Sequence, residues 1–322
     1  MPGAQWQITY GDGSNASGTV VTDDVEVGGL RVKNQAVELA KQMSREGAGD
    51  GLLGLAFSII NTVRPTQVAT LVENMITQSA IQPQNEVFTA YLGGFKDKDD
   101  PDAGESFYTF GYIDEDVVRS TGMDVWYANV NTSNGFWQVA SNSYSVNGVS
   151  QTTRGNSAII DTGTTLALVD DQTCKNIYAA IPGSQLSRNV GGYIYPTRTP
   201  ESQLPDVHFD IGGKMFHINT EDLGYADLGN GYTFGGIQSR GDLPFSIYGD
   251  TFLKNVYAIF DVGKKRFGCV QRVDPDNGST KFMHPTVAAT ASSMAYPTPA
   301  PTSASAIPYP TPTGNANKPP AT

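Results

Sequence analysis

Residues Ile159-Ile160-Asp161-Thr162-Gly163-Thr164-Thr165 place one acid on a tight turn between aliphatic and hydroxyl side chains. Ala158-Ile159-Ile160 reads as a buried strand, and Leu166-Ala167-Leu168-Val169 continues the apolar surroundings beyond the turn. Gly163 permits close backbone approach, and Thr162 and Thr164 bring hydroxyls able to orient the carboxylate. This grouping suits general acid–base work, in which a carboxylate takes a proton from water. Chemistry on an unactivated bond needs two acids, because one must accept a proton while the other donates. No second Asp-Thr-Gly, and no Asp-Ser-Gly, occurs in the 322 residues.

The elements that must hold this turn are mostly strands. Gln7-Ile8-Thr9-Tyr10, the tip Gly11-Asp12-Gly13-Ser14 and a return through Gly18-Thr19-Val20-Val21 read as a hairpin. Asp24 to Val32 reads as a second hairpin with a Gly28-Gly29 turn. Two segments have helical spacing. Thr66 to Gln78 sets Val68, Leu71, Val72, Met75 and Ile76 on one face, and Asp170 or Asp171 caps a helix running through Ile181. Frequent Gly, Tyr, Val and Thr agree with an all-β body carrying a few short helices. Trp6 and Trp137 are expected as packing residues.

Composition narrows the function classes. A net charge of −11 disfavours nucleic acid or an anionic membrane as partner and suits a protein that works in acid. No apolar stretch approaches a membrane span, and no basic-then-apolar signal peptide stands at the N-terminus. There is no Gly-rich phosphate loop after a strand, and His208, His217 and His284 lack metal-ligand spacing, so neither cofactor nor metal is expected. Cys174 and Cys269 allow one disulfide or two buried thiols. Asn-X-Ser/Thr sequons start at Asn15, Asn131 and Asn277. Residues 273–322 turn Pro-, Thr-, Ser- and Ala-rich, a composition that cannot bury a core and reads as a disordered, O-glycosylated stalk or a plain tail.

Four strings follow one another in a fixed order: Tyr10-Gly11-Asp12-Gly13-Ser14, Asp50-Gly51-Leu52-Leu53-Gly54-Leu55-Ala56-Phe57, Ile159 to Thr165, and Ile247-Tyr248-Gly249-Asp250-Thr251-Phe252-Leu253. With Phe234-Gly235-Gly236-Ile237-Gln238-Ser239 and Tyr257-Ala258-Ile259-Phe260-Asp261, the chain resembles the fungal pepsin-like aspartic proteases from residue 5 to about 272. The resemblance implies a bilobal pepsin-like acid protease fold with a peptide cleft between lobes that each donate one Asp. Residues 1–118 would be the remainder of the N-terminal lobe, and 119–272 the C-terminal lobe with the Asp-Thr-Gly loop. Asp161 would be the second catalytic Asp, with Gly163, Thr164 and Thr165 beside the substrate. Tyr10 and Gly11 would belong to the flap, while Asp12 would accept a basic substrate side chain or serve as a turn residue. Leu52-Leu53-Gly54 and Ile247-Tyr248-Gly249 would cross behind the catalytic loops as scaffold. Thr197 and Thr233 stand where many relatives carry a disulfide.

The family places its first catalytic Asp a few dozen residues ahead of the flap, and nine residues precede Tyr10. The expectation is an incomplete N-terminal lobe, without the first catalytic loop, signal peptide or propeptide. Sheet edges and apolar interior would be laid open, and the chain as written would fold poorly and lack peptidase activity. The complete enzyme would be a monomeric, extracellular or wall-associated endopeptidase that cleaves extended peptides in acid and is blocked by pepstatin-type inhibitors. A non-catalytic relative that binds peptides or proteins, and a wall glycoprotein dominated by its stalk, are the competing readings.

Overall fold

The computed structural model describes residues 1–11, 13–44, 50–94 and 106–272. Asp12 and the Pro-rich segment 273–322 lie outside them, as does the Asn277 sequon. The described residues form two compact units, one of residues 1–80 with 133–136 and one of residues 81–132 with 137–272.

The first unit is a three-stranded antiparallel sheet of β1 (Gln5–Thr9), β2 (Asn15–Val27) and β3 (Leu30–Met43). Its register sets Trp6 against Gly18 and Ile8 against Ala16, so alternate residues of β1 face one apolar cluster with Ala4, Val20 and Val63. Gly18 is required there, since a Cβ would fall 1.8 Å from the Leu39 carbonyl oxygen. Gly28 and Gly29 turn β2 into β3 with φ of 58° and 78°, both in the left-handed region that a two-residue hairpin turn demands.

Helix α1 spans Leu71–Thr77 and so starts later than its apolar spacing predicts. Thr70 is extended and closes a capping box: its hydroxyl accepts from the Glu73 amide at 3.3 Å, and its own amide donates to Glu73 at 3.0 Å. The box fixes the first turn at Leu71 and leaves Val68 to pack from the preceding loop. The string Leu52-Leu53-Gly54 forms no strand, and its leucines are 63% and 47% exposed.

The second unit opens with β4 (Val87–Tyr91), β5 (Phe107–Phe110), helix α2 (Glu115–Thr121), β6 (Trp126–Asn131) and β7 (Gln138–Ala140). The strands β8 (Ser143–Val146), β9 (Val149–Thr152), β10 (Ser157–Ile160) and β11 (Ala167–Val169) follow, then helix α3 (Asp171–Ala179). Next come β12 (Gln185–Ser187), β13 (Gly192–Pro196), β14 (Val207–Ile211), β15 (Lys214–Ile218), β16 (Gly224–Asp227), β17 (Tyr232–Gly235) and β18 (Ile237–Ser239). The unit closes with β19 (Ser246–Tyr248), the short helix α4 (Asp250–Leu253), β20 (Val256–Asp261) and β21 (Arg266–Gln271).

Ten of these strands join one sheet in the order β18-β11-β19-β10-β7-β6-β21-β20-β4-β5, flanked by two four-stranded sheets. β20 is buried along its whole length between β4 and β21, which explains its continuous Val-Tyr-Ala-Ile-Phe run. Phe88 stacks on Phe260 with ring centroids 4.5 Å apart, and Trp137 meets Phe260 edge-on at 5.1 Å. Trp6 and Trp137 are both buried packing residues.

Asp170 caps α3, which buries Cys174, Ile177 and Tyr178. Of the two cysteine states open from the sequence, the structure holds two buried free thiols, and burial pushes Cys174 up to about 12. Thr233 Oγ1 donates to Thr197 Oγ1 at 3.1 Å, so the two positions are joined by a hydroxyl pair. Among the described residues no helix is long and apolar enough to cross a membrane.

Candidate active site

β19 lies between β10, to which it is parallel, and β11, to which it is antiparallel. The loop 161–166 must therefore pass over the C-terminal end of β19 to join its neighbours. The Asp161 amide extends the ladder by donating to the Tyr248 carbonyl at 3.1 Å. Immediately after β19 the chain turns back under the loop. The amides of Asp250 and Thr251 donate to the carbonyls of Thr164 and Thr165 at 2.7 and 2.9 Å, and that of Gly249 reaches Leu166 at 3.3 Å. Only glycine fits at 249, where a Cβ would sit 1.9 Å from the Thr164 carbonyl oxygen.

The loop aims its hydrogen-bond donors at one side chain. Gly163 N–H donates to Asp161 Oδ1 at 2.9 Å, and Thr164 Oγ1 donates to Oδ2 at 2.6 Å. Both carboxylate oxygens are thus oriented by charge-assisted bonds while the residue stays half-exposed, able to hold a water or a substrate proton. A Cβ at 163 would stand 3.2 Å from Asp161 Oδ1, so glycine keeps that approach open. Thr165 is half-buried and uses its carbonyl to hold α4.

Two neighbours escape a linear reading. Asp250 is pushed up to about 7, chiefly by burial; Lys254 opposes the rise and the charge of Asp161 adds to it. Tyr108, on β5, hydrogen-bonds Thr162, the hydroxyl expected to orient Asp161. Although the residue is 40% exposed, burial raises the pKa of its phenol; the bond to Thr162 opposes the rise, and the charges of Asp250 and Asp161 add to it. The signal for Asp250 is its place directly after Ile247-Tyr248-Gly249; for Tyr108 the sequence holds none, because β5 lies far from the loop along the chain.

In the first unit, Tyr10 stands at the hairpin tip, its amide donating to Ser14 at 2.8 Å and its carbonyl accepting from Gly13 at 3.0 Å. Its ring packs half-buried on the Trp6 cluster. Burial and then the charge of Glu38 raise its phenol. Glu38 is itself raised by burial and accepts from Asn61 Nδ2 at 3.1 Å. Gly11 is exposed beside Tyr10, and Asp12 lies outside the described residues. Asp161, Gly163, Thr164 and Thr165 therefore form one site, and Tyr10 with Gly11 another cluster in the other unit.

The fold matches the crystal structure of an aspartic proteinase from Irpex lacteus, with a TM-score of 0.67 and 23% identity over 84% of this chain and 81% of that one. That likeness defines the class of fold: the bilobal, all-β aspartic proteinase type. Residues 1–272 match the family model for eukaryotic aspartyl protease, and the chain belongs to that family. It is 41% identical over 272 residues to aspergillopepsin-1 of Aspergillus oryzae, covering 83% of this chain and 65% of that one. Penicillopepsin-1 of Penicillium janthinellum is 39% identical over 273 residues, covering 83% of this chain and 78% of its own length. The chain thus spans about 65% of the length of the first of these relatives.

Proposed function

We propose that this chain carries the Asp161 half of an acid endopeptidase that cleaves extended peptides with a water activated between two carboxylates. The observation that supports it most is the Asp161 loop, whose backbone and Thr164 hydroxyl orient both carboxylate oxygens. In such a pair one acid is ionised and takes a proton from the water. The other is neutral and polarises the peptide carbonyl, and the two titrate as one unit. Tyr10 and Gly11 act as flap residues over the peptide, and Asp12 accepts a basic substrate side chain. Thr164 and Thr165 line the peptide's path beside Gly163.

The second acid comes from a strand–turn–strand segment outside residues 1–272. Two matching strings support this. Ile247 and Tyr248 are 0% and 2% exposed because β10 and β11 clasp β19, whereas Leu52 and Leu53 are 63% and 47% exposed and pair with no strand among the described residues. The residues present need no metal or organic cofactor for this chemistry. An extracellular or wall-associated site agrees with the exposed sequons at Asn15 and Asn131 and with the stalk-like composition after residue 272.

The test is to incubate the purified 322-residue chain with an acid-denatured protein, with and without pepstatin. No pepstatin-sensitive cleavage is expected from the chain alone. Such cleavage would show that the chain already holds a complete pair.

A further inference from the structure

An open cavity of about 430 Å³ lies in the second unit, between the turn from β9 to β10, the first turn of α3 and the loop leading into β19. It is remote from the Asp161 loop. Asn156 in its wall precedes β10 and Asp161 follows it, a separation of roughly 16 Å at about 3.3 Å per residue of extended strand.

Two arginines line the cavity, Arg154 and Arg240. Arg240 is half-buried and anchored through one nitrogen, Nη1, which donates to Asn156 Oδ1 at 2.6 Å and to Ser246 Oγ at 3.3 Å. Arg154 is exposed on the turn. Among the described residues neither arginine has an acidic partner within ion-pair distance, although the chain carries a net charge of −11. The acid that shares the cavity, Asp170, is committed to the helix: it accepts from the amides of Gln172 and Thr173 at 3.0 Å and from the Thr173 hydroxyl at 2.6 Å. It caps α3 and leaves the guanidiniums unneutralised. A guanidinium presents a planar fork of N–H donors that fits a carboxylate in two-pronged fashion and stays charged at every working pH.

We propose that this cavity is a second binding site, separate from the Asp161 loop, that takes a small carboxylate anion between Arg154 and Arg240. The site does not depend on whether Asp161 is catalytic. Because both cations hold their charge, binding follows ionisation of the ligand and weakens as pH falls through its own carboxyl range, about 4 to 5.

The test is calorimetric titration of the whole chain with succinate at mildly acidic pH, with dimethyl succinate as the uncharged control. Saturable binding of succinate and none of the ester is expected. Arg154→Gln should weaken succinate binding about tenfold, the worth of one charge-assisted bond, with an unchanged melting temperature. Amide NMR shifts should move in residues 151–156 and stay fixed in residues 161–165. Absence of saturable binding, equal binding of the ester, an unaffected Arg154→Gln variant, or shifts centred on the Asp161 loop would each overturn the site.

Discussion

Both oxygens of Asp161 accept hydrogen bonds from within its own loop, one from the Gly163 amide and one from the Thr164 hydroxyl. Bonds to a charged acceptor contribute roughly 1.5–3 kcal/mol each, enough to hold a single side-chain orientation. The behaviour of Asp250 is different. Burial lifts its carboxyl from an ordinary 3.8 to about 7. A carboxyl raised in the folded state binds its proton more tightly there than in the unfolded chain. Its stabilising contribution is therefore full below about pH 4 and is lost as pH climbs through about 7. Thermal unfolding followed from pH 4 to pH 8 should show stability falling across that window, and Asp250→Asn should flatten the fall. A variant with the parent's slope would contradict this assignment. Asp161 and its hydroxyl neighbours are legible in the sequence because the turn is local and its parts are contiguous. Asp250 is marked only by its place after Ile247-Tyr248-Gly249, and its approach to the loop comes from the pairing of β19 with β10 and β11; Tyr108, far upstream on β5, has no sequence signal.

The elements around the site show the same division between local and distant causes. The β1–β2 and β2–β3 hairpins follow from alternating apolar residues and Gly-rich tips, and α3 follows from its Asp cap. Apolar spacing alone sets the start of α1 too early, since Thr70 and Glu73 decide where the first turn closes. The interleaving of β10, β19 and β11 has no local signature, yet it makes Gly249 the tightest position behind the loop. An added Cβ there would meet the carbonyl oxygens of Thr164 at 1.9 Å and Leu166 at 2.6 Å, both fixed backbone atoms. Gly249→Ala should cost about 3 kcal/mol or more, or prevent recovery of folded protein. Urea unfolding measures it, and a loss within about 0.5 kcal/mol would show that the loop can yield.

For the whole molecule, the two units differ in how they treat matching strings. Ile247-Tyr248-Gly249 is clasped in the ten-stranded sheet, whereas Leu52 and Leu53 are 63% and 47% exposed. Adjacent exposed leucines favour association. Sedimentation of the chain at rising concentration should reveal self-association, and Leu52→Ser with Leu53→Ser should reduce it at unchanged thermal stability. A monomeric parent at every concentration would show that this surface is already covered. The central claim is that Asp161 supplies one acid of a catalytic pair, and joining the chain to a segment of a relative that it does not match tests it most directly. The chain is fused behind the portion of aspergillopepsin-1 of Aspergillus oryzae that residues 1–272 do not match, and cleavage of an acid-denatured protein is measured. Pepstatin-sensitive cleavage is expected from the fusion and none from the same fusion carrying Asp161→Asn; equal cleavage by both would contradict the role of Asp161.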